Sequence, residues 1–172
     1  MSQHDENNAR PLDGMRVLEL GQIVAGAFTT TILGYFGAEV IKIEAPGTGD
    51  GIRNFRIVRD GTSLWWWSIG RNKQSVTVDL KTDEGQQLIR DLCAECDVLV
   101  ENFRPGQMER WGLGPDVIKE INPELIYTRI SGYGQTGPYS ARPGFASVCE
   151  GFGGFRYING VPGELPVRPN LS

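Results

Sequence analysis

The sequence has a single histidine, His4, and it lies in the polar opening stretch "MSQHDENNARP". Enzymes built on a Ser-His-Asp or Cys-His pair need an imidazole held inside the fold, and that stretch is poorly placed to supply one. Cysteine is scarce as well. Three cysteines are an odd number, and the polar start is not expected to be a secretion leader, so a disulfide scaffold is excluded. Cys93 and Cys96 form a C-x-x-C in "LCAECDV". Without a second pair or a nearby histidine, that spacing sets two small side chains on one helix face, and neither redox chemistry nor a metal is expected. Positive charge is not in excess: 17 Lys and Arg stand against 21 Asp and Glu, for a net charge of −4. That excludes a general nucleic-acid surface but leaves room for a local basic pocket. No apolar run is long enough for a membrane span, so the expected compartment is the cytoplasm, with no membrane partner. The dinucleotide fingerprint G-x-G-x-x-G and the P-loop pattern are also missing.

What is present is an alternation of strands and helices. "MRVLEL" (15–20) reads as a buried strand, 25–36 as a helix, and "AEVIKIE" (38–44) as the next strand. Gly37 stands between them as a helix stop. "SLWWWSI" predicts a short helix and "QSVTVDL" a strand. Thr82 caps a helix over 83–94 whose first turn holds two acids. "DVLVENF" is a strand, "DVIKEI" after Pro115 a helix, and "ELIYTRIS" a further strand. After Ser131 only a short helix near 146–151 is expected. Continuous apolar strands separated by helices predict an α/β fold, a Rossmann-like open parallel sheet with helices on both faces. A loop-rich, extended C-terminal segment follows it. The expected division is a disordered tail over 1–11, the Rossmann-like domain over 12–131, and an extended linker over 132–172 leading to the rest of a larger fold.

Sheets of this kind bind ligands at the C-terminal ends of their strands. Two loops fall there. "GQIVAGA" (21–27) joins the first strand to a helix N-terminus, where free amides favour an anion, or it is simply a tight connection. "ENFRPGQMERWG" (101–112) gathers an amide, an aromatic ring, Arg104 and Arg110 around a Pro-Gly turn. "GRNK" offers Arg71, Asn72 and Lys73 before a strand; cations and an amide grip phosphate oxygens, and equally make an ordinary charged loop. In "IKIE" Lys42 and Glu44 are expected to face solvent. Trp65, Trp66 and Trp67 fan by roughly 100° each along a helix, so at least one must be exposed or stack on another ring.

Taken in order, "LDGMRVLELGQIVAGAFTTTILGYFGAEVIKIE", "GRNKQSVTVDLKTDEG", "DVLVENFRPGQMERWGLG" and "NPELIYTRISGYGQTGPYSARPG" resemble the class III CoA-transferases, the formyl-CoA transferase and CaiB-BaiF group. The resemblance runs from about Pro11 to the last residue. It implies coenzyme A or an acyl-CoA as the bound substrate. By the resemblance, Gln22, Ile23 and Ala25 line the cofactor, Asn102 and Phe103 lie along it, and Arg110 contacts its phosphates. Asn72 and Lys73 sit near its nucleotide end, and Gly132 and Tyr133 near its pantetheine arm. Some relatives have an arginine after the "IKIE" strand, where this chain has Ala45-Pro46, and a glutamine where it has Val24.

The implied chemistry moves coenzyme A from an acyl-CoA donor to a carboxylic acid acceptor. A family aspartate attacks the thioester and goes through a mixed anhydride to an aspartyl-CoA thioester. In relatives that aspartate comes a few residues after the stretch matching "LPVRPNLS". The resemblance therefore implies an N-terminal portion with no catalytic residue of its own, inactive alone, and an interlocked homodimer when complete. Two alternatives stay open: an acyl-CoA racemase of the same family, which would need a histidine where this chain has Phe145, and a non-catalytic CoA-binding remnant.

Overall fold

The computed structural model describes residues 9–168, so His4 lies outside the described residues. Five strands form one sheet: β1 (Arg16–Glu19), β2 (Glu39–Glu44), β5 (Lys73–Thr77), β6 (Val98–Glu101) and β7 (Ile126–Arg129). Their order across the sheet is β5-β2-β1-β6-β7, and every adjacent pair is parallel. The chain steps outward from β1 to β2 and β5, then returns to the other side of β1 as β6. The direction of winding reverses between β1 and β6, which opens a crevice at the C-terminal ends of those two strands.

Strand alternation decides which helix covers which face. Leu18, Leu20, Ile43 and Leu99 point to one face, where they pack with Ile89 and Cys93 of α3 (Asp83–Glu95) and Ile118 of α5 (Pro115–Ile121). Val17, Val40, Val98 and Val100 point to the other, with Leu33 of α1 (Ala25–Tyr35) against them. Helices thus cover both faces, as expected of a parallel sheet. Helix starts and stops follow local chemistry. Thr82 Oγ1 accepts the Gly85 amide at the head of α3, beside Asp83 and Glu84. Gly37 takes φ +113 after α1, a conformation that glycine adopts freely.

Three local features escaped the sequence reading. Residues Gly51–Asn54 form a 3-10 turn capped by Asp50. A small hairpin follows, β3 (Val58–Arg59) against β4 (Thr62–Ser63). Its turn is Asp60-Gly61, both at positive φ, the signature of a tight hairpin turn. The β6 loop also closes into a short helix, α4 (Gln107–Arg110). The tryptophans of α2 (Leu64–Ile69) divide as their fan requires: Trp65 and Trp66 pack beside Ile52, and Trp67 is 49% exposed. Cys93 and Cys96 are both buried in the core.

The chain divides into two compact units, one ending at Ile130 and the other beginning at Ser131. The second holds α6 (Ala146–Phe152) among turns. In it Tyr133, Tyr139 and Phe152 meet edge to face, with ring centres 5.3 to 5.6 Å apart. No helix among the described residues is long and apolar enough to cross a membrane.

Candidate functional site

The loop after β1 folds back tightly on the start of α1. A Cβ on either Gly21 or Gly26 would lie 2.8 Å from the other's Cα, so both positions require glycine. The Asn102 side chain, at the end of β6, clamps the loop from across the crevice. Its Oδ1 accepts the Gln22 amide at 2.7 Å and its Nδ2 donates to the Gln22 carbonyl at 2.9 Å. The next residue, Ile23, takes φ +63. That is the left-handed region, unfavourable for a β-branched side chain. Its amide donates to Asp50 Oδ1 at 2.9 Å. Val24, the residue before α1, gives no side-chain cap, and the first-turn amides of a helix have no partner within it. The crevice therefore ends in a pinned loop and a positively polarised helix terminus.

Beneath the loop lies a cluster of buried charge. The alternation that points Val17 and Val40 toward α1 points Glu19 and Lys42 the same way, and these two are register partners on adjacent strands. Lys42 Nζ lies 2.6 Å from Glu19 Oε1 and 2.7 Å from Asp50 Oδ2, and donates to the Gly21 carbonyl at 2.9 Å. Lys42 is the partner of Asp50 Oδ2 among the described residues. Lys73 Nζ reaches Glu19 Oε2 at 2.8 Å and the Ala27 carbonyl at 2.7 Å. Burial works against the Lys42 ammonium, but Glu19 and Asp50 together hold it above the usual lysine range. For Lys73 burial prevails over Glu19 and lowers it. Glu44 is buried as well, bonded by Arg53, Ser75 and the Asp50 amide. The solvent-facing expectation for Lys42 and Glu44 is thus corrected. Both point to the α1 side of a sheet that is covered there, so each needed an internal partner.

On the β6 side, buried Glu101 accepts the Phe103 amide at 2.7 Å and pairs with Arg129 at 2.9 Å. Burial raises the Glu101 carboxyl even though Arg129 and the Phe103 amide oppose it. The Phe103 ring stands edge-on to Trp111 at 5.1 Å. Gly106 turns the chain at φ +81 into α4, where exposed Arg110 donates to Gln107 Oε1 at 2.6 Å.

The expected site residues separate into groups. Gln22, Ile23, Ala25, Asn102 and Phe103 gather at the crevice between β1 and β6, and Arg110 stands on the helix that follows. Asn72 lies at the N-terminal end of β5, beside Gly34 of α1, at φ +57. The Lys73 ammonium is buried under the loop rather than offered to solvent. Gly132 and Tyr133 belong to the second unit, where the Gly132 backbone abuts Gly144 and Tyr133 joins the aromatic trio. Among the described residues no group of three metal-binding side chains occurs. The supporting charges Glu19, Lys42 and Asp50 were not anticipated. Their trace was a Glu and a Lys set inside the otherwise apolar runs "VLEL" and "VIKI".

Residues 12–172 match the family model for CoA-transferase family III. The chain belongs to that family. It is 51% identical over 164 residues to succinyl-CoA–D-citramalate CoA-transferase of Chloroflexus aurantiacus, an alignment covering 95% of this chain and 41% of that protein. Over 171 residues it is 45% identical to human succinyl-CoA:glutarate CoA-transferase, covering 99% of this chain and 39% of that one. The crystal structure of a CaiB/BaiF family protein from Brucella suis superposes with a TM-score of 0.88 at 39% identity, over 95% of this chain and 44% of that one. The family III chain thus spans about two fifths of the length of the curated relatives it matches. Its likeness to solved CaiB/BaiF structures accords with the parallel α/β sheet described above.

Proposed function

We propose that the protein, taken whole, transfers coenzyme A from an acyl-CoA donor to a carboxylic acid acceptor through an aspartyl-CoA thioester. These residues supply the coenzyme A crevice, and none of them is assigned as the nucleophile. The observation that carries this reading is the two-point hold of Asn102 on Gln22 at the sheet's switch point. It fixes a loop and a helix terminus where an anionic, extended ligand of an open α/β sheet binds. Phe103 supplies an apolar edge along the crevice, and Arg110 a cation for phosphate oxygens. The family resemblance supports assigning Gly132 and Tyr133 to the pantetheine arm, and Asn72 with Lys73 to the nucleotide end. Because the relatives named above act on succinyl-CoA, the proposed donor is succinyl-CoA and the proposed acceptor a dicarboxylic acid. An interlocked homodimer acting in the cytoplasm is the proposed assembly.

The test is to incubate the full-length protein with succinyl-CoA and either D-citramalate or glutarate and follow the acceptor's CoA ester by mass spectrometry. A new acceptor thioester, with a hydroxylamine-sensitive acyl-enzyme, is expected. No thioester with either acid, or epimerisation of a 2-methylacyl-CoA instead, overturns the reading. Arg110→Ala should weaken CoA and its acyl esters alike by about tenfold, and more at low salt. Unchanged affinity removes Arg110 from the site.

A further inference from the structure

We infer that Asp50 is a positioning residue for coenzyme A: it holds the left-handed Ile23 from below and so fixes the loop that meets the ligand. The inference rests on the coenzyme A reading above.

Ile23 is strained without the usual compensation. A β-branched residue at φ +63 is tolerated only when its surroundings over-determine it. Packing is not what does so, because the side chain is 44% exposed. What holds it is the backbone. Asp50 Oδ1 accepts the amides of both Ile23 and Ile52, each at 2.9 Å, and the neighbouring Gln22 peptide is held at both ends by Asn102. Asp50 is itself fixed. Its other oxygen lies against Lys42 Nζ, which Glu19 also holds, and Glu44 accepts the Asp50 amide. Turning the Asp50 side chain would break two hydrogen bonds from backbone amides and one ion pair together.

Stability alone is a weak reason for such a cluster, since buried ion pairs are often replaceable by apolar side chains without loss. A geometric role explains what packing does not: why the charges converge on one exposed, strained loop. If Ile23 relaxed to negative φ, the Gln22–Ile23 peptide would swing and the start of α1 would shift with it.

The experiment is a double-mutant cycle on the full-length protein, with the dissociation constant for free CoA read by calorimetry and melting temperature recorded alongside. Asp50→Ala, which removes the acceptor of the Ile23 amide, should weaken CoA about tenfold, or about 1.4 kcal/mol. In an Ile23→Gly background the same change should weaken it by less than about threefold, because glycine takes positive φ unaided. Equal weakening in both backgrounds, or an unchanged dissociation constant with only a lowered melting temperature, overturns the inference. Should Asp50→Ala alone not fold, the double variant is compared with Ile23→Gly: similar affinity supports the inference, a tenfold loss rejects it. Absence of CoA binding by the wild-type protein rejects the coenzyme A reading itself, and this inference with it.

Discussion

Glu44 is only 4% exposed, and burial by itself would raise its pKa. Hydrogen bonds from Arg53 at 2.6 and 2.7 Å, from Ser75 at 2.5 Å and from the Asp50 amide at 2.8 Å outweigh it. The carboxyl is lowered to about 2. A depressed carboxylate contributes stability that is present above its unfolded pKa and is lost as pH falls through the folded value. The window here runs from 4.5 down to about 2, and the contribution at neutral pH is up to about 3 kcal/mol. Glu44→Gln should therefore be less stable at neutral pH and should lose part of the acid dependence in that window, as measured by denaturant titrations at several pH values. An unaltered acid slope would show that Glu44 is not its source. The cysteines differ by the same reasoning. Burial pushes Cys93 up to about 12 and raises Cys96 too, whereas Cys149 is exposed. Iodoacetamide should label native protein at Cys149 and reach the other two only in denaturant.

Helix α1 buries small residues and shows large ones. Gly26, Ala27, Thr30, Thr31 and Gly34 face inward, while Phe28, Ile32, Tyr35 and Phe36 are exposed. Small inward residues let the helix lie close to the charged half of its sheet face, where Thr30 Oγ1 donates to Glu19 at 2.6 Å. The approach is closest at Gly26. A Cβ there meets the Gly21 Cα at 2.8 Å and Asn102 Oδ1 at 3.3 Å. Gly26→Ala should consequently push the loop off its Asn102 hold, lower the melting temperature and weaken CoA by at least about tenfold. A variant with wild-type CoA affinity would mean the loop has slack that the close backbone contact denies. At α3 the effect is smaller. Thr82→Ala removes one cap and should cost about 1 kcal/mol in unfolding free energy without touching CoA affinity.

Across the whole chain, order is unevenly supported. The first unit has a five-stranded sheet covered on both faces. The second carries one short helix, with Tyr157 83% and Leu165 85% exposed, and Phe145, Phe152 and Val161 exposed as well. These exposed side chains offer apolar surface for association. Hydrogen exchange on the 172-residue chain should protect the amides of β1, β2 and β6 strongly, and those of 160–168 weakly. Light scattering should show self-association. Uniform protection through both units in a monodisperse monomer would contradict this.

The five sheet strands and the longer helices of the first unit were legible because each has a local cause. Apolar runs marked the strands, Thr82 the head of α3, Gly37 the end of α1, and their alternation implied a parallel sheet. The motifs around Asn102 and Phe103 were legible too, since strand-end position follows from the strand itself. The hairpin was readable at Asp60-Gly61 but hidden by its two-residue strands. The charges Glu19, Lys42 and Asp50 could not be paired in advance. Glu19 and Lys42 are 23 residues apart and meet only because β1 and β2 adopt one register, and Asp50 reaches them only through the turn that carries it back beneath the loop. The sequence by itself determined which long segments of the first unit extend and which coil, because those follow from neighbours along the chain. Tertiary structure alone decided that "VLEL" and "VIKI" point their charges inward to each other, because burial and pairing depend on what lies across the sheet.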